Sequence, residues 1–97
     1  MRLPQEKIDL LRAYFSKQPV CKAYLFGSHA RREATHLSDV DLLVELDHSQ
    51  PIGLQFVQMQ FDLESLLGEK VDLVSTNGLS KYIKPIIDQE KELVYAR

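Results

Sequence analysis

Residues 39–46 read Asp39-Val40-Asp41-Leu42-Leu43-Val44-Glu45-Leu46. Every even-numbered residue of this run is apolar, and successive side chains of a β-strand point to opposite faces of the sheet. The run therefore predicts a strand with one buried face. Leu43 adds an apolar side chain on the other face, so we expect a strand that is buried on both sides and carries two carboxylates where it begins.

Apolar spacing predicts helices and strands in alternation around this strand. We expect a helix that Pro4 opens, a strand over residues 20–26, a short helix over 29–33, a helix from Pro51 or Ile52 to Leu67, a strand over 71–75 and a last strand over 93–95. Gly68 suits the C-cap of the long helix. Residues 79–90 have helical spacing, and Pro85 leaves two readings open, one continuous helix or a turn followed by a short helix.

The expected fold class is therefore α/β (α+β), in the order α-β-α-β-α-β-α-β, with a small mixed sheet backed by helices. The chain has 97 residues, 44% of them apolar, which predicts one domain over residues 1–97. Its net charge of −2 argues against direct nucleic-acid binding. It has no apolar stretch near the ~20 residues that span a membrane, no signal peptide and one cysteine, Cys21. We expect a cytoplasmic protein.

Gly27-Ser28 stands where a predicted strand gives way to a predicted short helix. Glycine lets the backbone come close to a ligand, and the first turn of a helix offers unpaired N–H groups that suit a phosphate. The Ser28 hydroxyl adds one more donor. Ordinary turns contain the same pair, so it indicates a phosphate site only in combination with other features.

Asp39 and Asp41 place two carboxylates on one side of the central strand. Such charges repel each other unless a cation lies between them. Mg²⁺ prefers hard oxygen ligands and is commonly held by one or two carboxylates together with substrate phosphates. A solvated acidic strand would carry the same residues, but the buried run that follows favours a metal site at the start of the strand.

Asp72 interrupts a run of strand-forming residues that extends from Val71 to Val74. Aspartate is depleted in strands, so this position is unusual. If this strand lies beside the strand of Asp39 and Asp41, the three carboxylates form one cluster. A partly exposed position paired with Lys70 is the alternative, and the residues alone leave both readings open.

Together these residues resemble the signature of the DNA polymerase beta-like nucleotidyltransferases. That signature is Gly-Ser, ten further residues and Asp-x-Asp, and this chain has Gly27-Ser28 and Asp39-Val40-Asp41 at that spacing. The fuller stretches 26–31, 38–44 and 67–74 are similar to the minimal nucleotidyltransferase branch. The resemblance covers nearly the whole chain and is far more specific than any one of its parts.

The resemblance implies a role for each matching residue. In the family, the acids that match Asp39 and Asp41 hold the metal ions, and the acid that matches Asp72 completes the cluster and helps to activate the acceptor hydroxyl. The residues that match Gly27 and Ser28 hold the triphosphate. The implied cofactor is Mg²⁺, as two ions, and the implied substrate is ATP.

Two arginines follow the Gly-Ser pair. Arg31 matches the family arginine, with either a nucleotide-binding role or a structural salt bridge to Asp39 or a neighbouring acid. Arg32 departs from the pattern, because many members have glycine there. We expect the Arg32 side chain to point to solvent.

The resemblance also implies a reaction and a partner. The reaction is attack on the α-phosphate of ATP with pyrophosphate leaving. Minimal nucleotidyltransferases are similar to the antitoxins of HEPN-domain RNase toxins, which implies AMP transfer to a tyrosine of such a toxin. Two alternatives stay open: a non-catalytic subunit that neutralises its partner by contact, and a nucleotidyltransferase subunit that acts on a small molecule held by a separate chain.

The long helix after Pro51 carries two apolar stripes at ~100° per residue. We expect the larger stripe to face the core; it consists of Phe56, Met59, Leu63, Leu66 and Leu67. The smaller stripe lies on nearly the opposite side and consists of Leu54, Val57 and Phe61. It either packs within the chain, in a sandwiched helix, or forms a contact with a partner protein or a second copy.

Overall fold

The computed structural model describes residues 3–27 and 39–97. In the chain order of these residues it contains α1 (Gln5–Phe15), β1 (Val20–Phe26), β2 (Val40–Leu46), α2 (Gln55–Leu67), β3 (Val71–Ser75), a 3₁₀ turn (Thr76–Gly78), α3 (Lys84–Glu90) and β4 (Glu92–Ala96). The predicted α+β class is confirmed. The short helix expected at residues 29–33 lies outside the described residues.

The four strands form one mixed sheet in the order β3-β2-β1-β4. The central strands β1 and β2 are antiparallel, and β4 also pairs with β1 in antiparallel orientation. The strands β2 and β3 are parallel, and α2 forms the crossover between them. Parallel pairing brings the first residues of β2 and β3 to the same edge of the sheet, so Asp39, Asp41 and Asp72 all lie near that edge.

The main core lies between the sheet and the helices α1 and α2. The buried residues of α1 are Ile8, Leu11 and Phe15, and those of α2 are Met59, Leu63 and Leu67. These positions recur every three or four residues, which gives each helix one apolar face. They pack on the even-numbered side chains of β2 and their neighbours in the sheet. Each fully buried aliphatic side chain contributes roughly 1.5–3 kcal/mol.

The helix α3 lies over part of the opposite face of the sheet. Leu43 of β2 and Ile87 of α3 are buried, yet neither belongs to the main core. Lys91, just after α3, places its ammonium 4.4 Å from the centre of the Tyr24 ring in β1. The prediction that β2 is buried on both sides is therefore confirmed.

Glycine and proline account for the helix boundaries. The long helix α2 begins at Gln55, so the prediction of a start at Pro51 or Ile52 is wrong. Gly53 has a φ of +42°, a left-handed conformation that a helix cannot include. At the other end, Gly68 forms the predicted left-handed C-cap, with a φ of +66°. Near the end of the chain, the turn followed by a short helix is the correct reading.

The two stripes of α2 differ in burial largely as predicted. Met59, Leu63 and Leu67 are buried and Phe56 packs against them, but Leu66 is exposed because it lies at the margin of this stripe. The smaller stripe of Leu54, Val57 and Phe61 is exposed along its length. The sandwiched-helix reading is therefore wrong. No helix within the described ranges is long and apolar enough to cross a membrane.

Candidate active site

Two of the predicted carboxylates meet across the parallel strands. Asp41 of β2 and Asp72 of β3 are register partners, and neighbouring strands lie about 4.8 Å apart. The residues that flank each aspartate belong to the main core. Because side chains alternate along a strand, both carboxylates lie on the opposite face, on which α3 also lies; Asp41 is half-buried and Asp72 is exposed. Asp39 directly precedes β2 and is half-buried.

Gly27 lies against one of these carboxylates. It directly follows β1, whose last residue, Phe26, pairs with Asp41. Gly27 has a φ of +71°, and a Cβ atom at this position would overlap the Asp41 carboxylate. A side chain is therefore excluded twice, by the backbone conformation and by the lack of space. The structure thus brings Gly27 and Asp41 together.

Side chains from α2 hold the outer edge of β3, a feature that the sequence did not reveal. The Leu73 N–H donates to Gln60 Oε1 at 3.0 Å, and the Gln60 amide group donates to the Val71 carbonyl. The Val71 N–H donates to Glu64 Oε2 at 3.2 Å. Among the described strands none pairs with this edge of β3, and Gln60 bonds its outer backbone groups on both sides of Asp72. The available signal was a pair of long polar residues beside the apolar face of α2.

The donor chemistry of the acids suits magnesium. Asp39, Asp41 and Asp72 supply hard oxygen atoms, and a register pair of carboxylates on one sheet face is the arrangement that a divalent cation stabilises. Within residues 3–27 and 39–97, however, no three His, Cys, Asp or Glu side chains are grouped so as to hold a metal ion. The three-acid cluster therefore stays a prediction. Ser28 and Arg31 lie outside the described residues.

A cavity of about 300 Å³ lies on the same face of the sheet. Its walls come from three parts of the chain: Tyr24, Leu43 and Glu45 of the sheet, Thr76, Asn77 and Leu79 after β3, and Lys84, Asp88 and Lys91 in and after α3. Lys91 donates to Asp88 at 2.9 Å, and this hydrogen bond raises the pKa of Lys91. The carboxylate pair thus lies on the same face of the sheet as a polar cavity that is lined by Lys84 and Lys91.

Comparison with known proteins identifies the family of the chain. The family model described as "Polymerase beta, Nucleotidyltransferase" matches residues 8–97. The chain belongs to this family. The resemblance found in the Gly-Ser and Asp-x-Asp motifs is therefore confirmed, and this chain is a nucleotidyltransferase by descent.

Two relatives are similar to this nucleotidyltransferase over most of their length. A Methanocaldococcus jannaschii protein named "Putative protein adenylyltransferase MJ0128" is 39% identical over 98% of this chain and 99% of its own length. The protein adenylyltransferase MntA of Thermococcus cleftensis is 41% identical over 73% of this chain and 69% of its own.

A solved structure shows the same fold. It is the complex of tri-AMPylated Shewanella oneidensis HEPN toxin with MNT antitoxin. The match has a TM-score of 0.64 and 22% identity, and it covers 96% of this nucleotidyltransferase and 69% of the matched chain. Similarity at this level of identity concerns the fold.

Proposed function

We propose that this nucleotidyltransferase moves AMP from ATP to a tyrosine hydroxyl of a HEPN-type toxin and so acts as its antitoxin. The observation that carries the proposal is the register pair of Asp41 and Asp72 beside Gly27. The names of the relatives support the choice of AMP and of a protein acceptor. The AMPylated toxin in the structurally similar complex supports the class of partner.

We propose that Asp39, Asp41 and Asp72 hold two Mg²⁺ ions, because carboxylate oxygens are the hard ligands that Mg²⁺ prefers. Bound Mg²⁺ supplies a lower pKa for the attacking hydroxyl and neutralises charge on the leaving group. Without a cation, the negative charges of Asp41 and Asp72 would repel each other and destabilise the state in which both are ionised.

The proposed reaction is an in-line displacement at the α-phosphorus of ATP. The tyrosine oxygen forms a bond to this phosphorus, the bond from phosphorus to the bridging oxygen breaks, and pyrophosphate leaves. The Asp72 carboxylate accepts the proton of the hydroxyl. Gly27, Ser28 and Arg31 hold the phosphates, and Gly27 allows this by leaving the backbone uncovered.

A contact-only function is the second candidate. The exposed stripe of Leu54, Val57 and Phe61, here called the α2 surface, favours it because such stripes on surface helices commonly meet another protein. We propose that the α2 surface contacts a partner or a second copy. Mg²⁺-dependent stabilisation by ATP separates the candidates, since ligand at ~100 times its Kd adds about 2.7 kcal/mol and a contact-only subunit has no use for the nucleotide.

The decisive experiment combines this chain with a HEPN-domain toxin, Mg²⁺ and ATP, and measures the intact mass of the toxin. We expect the mass to increase by one or more AMP groups. Asp39→Asn and Asp41→Asn should abolish the increase with the fold retained, because each keeps the shape of the side chain and removes its charge. Asp72→Asn should lower turnover more than it weakens ATP binding.

The matched control is Glu45→Gln. Glu45 is an exposed carboxylate of the same strand on the same face, four residues beyond Asp41. We expect Glu45→Gln to transfer AMP at the wild-type rate. Unchanged transfer in both Asp39→Asn and Asp41→Asn would sink the assignment of the metal site, and no mass increase with the wild-type chain would sink the proposed function.

A further inference from the structure

Four large apolar side chains are exposed around the start of α3 and on β4. Tyr82 is 77% exposed, Ile83 51%, Ile86 58% and Leu93 51%. We call these four residues the α3 surface. An exposed apolar cluster of this kind on a small domain commonly marks an interaction site.

The α3 surface lies on the same face of the sheet as the carboxylate pair. Leu93 is the register partner of Tyr24, a wall residue of the cavity on that face. It lies two strands away from Asp41 and two residues along, which is roughly 12 Å from strand spacing and rise. Ile83 and Ile86 flank Ile87, the residue of α3 that is buried.

The α2 surface is on the other side of the molecule. Met59 and Leu63 face the sheet from α2, so Val57 and Phe61, on the opposite side of the helix, point away from it. An acceptor that presents a hydroxyl to Asp41 and Asp72 approaches from the side of the sheet on which α3 lies. The α2 surface therefore lies outside the contact that transfer requires.

Area and charge indicate what covers the α3 surface. The four side chains expose roughly 400 Å², about half of what one partner contributes to a standard protein–protein interface. Lys81 and Lys84 border them, and the Lys81 ammonium lies 5.3 Å from the centre of the Tyr82 ring. Asp88 and Glu92 border the same four side chains, so the matching surface has an apolar centre and places acidic residues opposite the two lysines.

We propose that the protein that accepts AMP docks on the α3 surface. This inference rests on the proposed function, because a protein acceptor has to lie over the carboxylates during transfer. An interface of standard size is roughly 30 Å across, so one that is centred near Asp41 includes Leu93 and the start of α3. The α3 surface then determines which protein is modified.

The test uses Ile86→Glu, with Tyr82→Ala as a milder second variant outside the helix. Leu10→Glu is the matched control, because Leu10 is 42% exposed on α1, in the opposite layer. The acceptor is the HEPN-domain toxin used in the transfer experiment. Three measurements are made for each variant: the kinetics of AMP transfer, which give kcat and KM, the affinity for the acceptor, and thermal stabilisation by ATP with Mg²⁺.

Ile86→Glu should lower kcat/KM roughly tenfold or more, mainly through KM, and weaken acceptor binding by a similar factor. Tyr82→Ala should act in the same direction. Stabilisation by ATP should be unchanged in both, and Leu10→Glu should resemble the wild type in all three measurements.

Each other outcome has a definite meaning. Wild-type transfer and acceptor binding that both survive Ile86→Glu and Tyr82→Ala overturn the docking proposal. A wild-type chain that transfers no AMP overturns the proposed function, and the binding titration then still decides docking: weaker binding of Ile86→Glu supports it, and equal binding refutes it. Equal losses in Leu10→Glu also refute it, because they show a general effect of added charge.

Discussion

Two glycines of this chain share a backbone conformation and differ in their surroundings. Gly27 and Gly68 have φ values of +71° and +66°. A Cβ at Gly68 would meet nothing within 4 Å, whereas a Cβ at Gly27 would lie 3.0 Å from Asp41 Cγ and overlap the carboxylate oxygen. Substitutions at Gly27 and Gly68 therefore distinguish two effects of an added side chain, the strain of the left-handed backbone and the steric overlap with a neighbour.

We predict different outcomes for Gly27→Ala and Gly68→Ala. Gly68→Ala should lower the free energy of unfolding by about 1 kcal/mol, because alanine is strained at positive φ. Gly27→Ala should lower it further, because its Cβ also overlaps the Asp41 carboxylate. Gly27→Ala should also displace the Asp41 carboxylate and largely abolish AMP transfer, while Gly68→Ala transfers at the wild-type rate. Denaturant unfolding and the transfer rate check this. Full activity in Gly27→Ala would show that the Asp41 carboxylate is not confined by Gly27.

Parts of the candidate site could be predicted from the sequence where the local pattern around a single residue is sufficient. Alternation along β2 places Asp41 opposite the core, and the odd aspartate in β3 indicates a special position. The contacts of Gln60 could not be predicted, because they depend on β3 being an edge strand. That property follows from the strand order of the whole sheet and not from any local pattern.

At the scale of the element, β3 is an edge strand among the described strands, and side chains of the helix α2 bond its outer backbone groups. The Asp72 backbone is directed to β2, while Val71 and Leu73 bond outward to Gln60 and Glu64 of α2. The helix thus fixes both neighbours of a candidate catalytic residue. A change in α2 is expected to reach the site through β3.

Gln60→Ala tests this connection, with Gln58→Ala as its control. Gln58 is two residues away in the same helix, and its side chain donates to Asp62 Oδ1 at 2.8 Å and not to β3. Gln60→Ala leaves two part-buried backbone groups unpaired, so it should cost about 1–3 kcal/mol of unfolding free energy and lower kcat with little effect on ATP binding. Gln58→Ala should stay within ~0.5 kcal/mol. Equal kcat values in the two variants would contradict the positioning role.

Apolar periodicity predicts where helices lie in this sequence but not the residues at which they begin. The apolar stripe of α2 is visible in the sequence. The residue at which α2 begins depends on the φ of Gly53, and this angle could not be predicted because glycine adopts many backbone conformations. Pro85 left two readings open at residues 79–90 because proline is tolerated in the first turn of a helix. It occupies that position in α3.

At the scale of the whole molecule, a polar cluster joins the loop after β2 to the residue after β4. The Asp47 carboxylate accepts hydrogen bonds from the Ser49 side chain and backbone, and from Arg97 at 2.6 Å. These bonds, those of Ser49 first, hold the pKa of Asp47 well below its ordinary value. The folded state therefore favours the charged carboxylate.

Asp47→Asn should lower the melting temperature at pH 7, where the carboxylate is charged. A depressed pKa gives stability that is complete above the ordinary value of about 4. It is lost as the pH falls from there towards the depressed pKa. The difference between Asp47→Asn and the wild type should therefore shrink below about pH 4. Melting curves between pH 2 and pH 7 check this, with the exposed Asp9→Asn as control. A difference that is constant with pH would show that charge is not its cause.

The α2 surface gives a prediction about assembly. Because Phe61 is 60% exposed, Phe61→Glu should leave the melting temperature unchanged and reduce association with a partner or a second copy. Light scattering and partner pull-down measure association. A large drop in the melting temperature would place Phe61 in the core and refute the assignment of this surface to an interface.

The strand order also has a consequence for the synthesis of the protein. β1 lies inside the sheet, but one of its neighbours, β4, is made about 70 residues later. At 5–20 residues per second, a ribosome needs roughly 4–14 s to cover that interval. Throughout it, β1 presents an unpaired edge that any other extended segment can join. Each new copy therefore passes through a period of seconds in which pairing with a foreign strand competes with its own last strand.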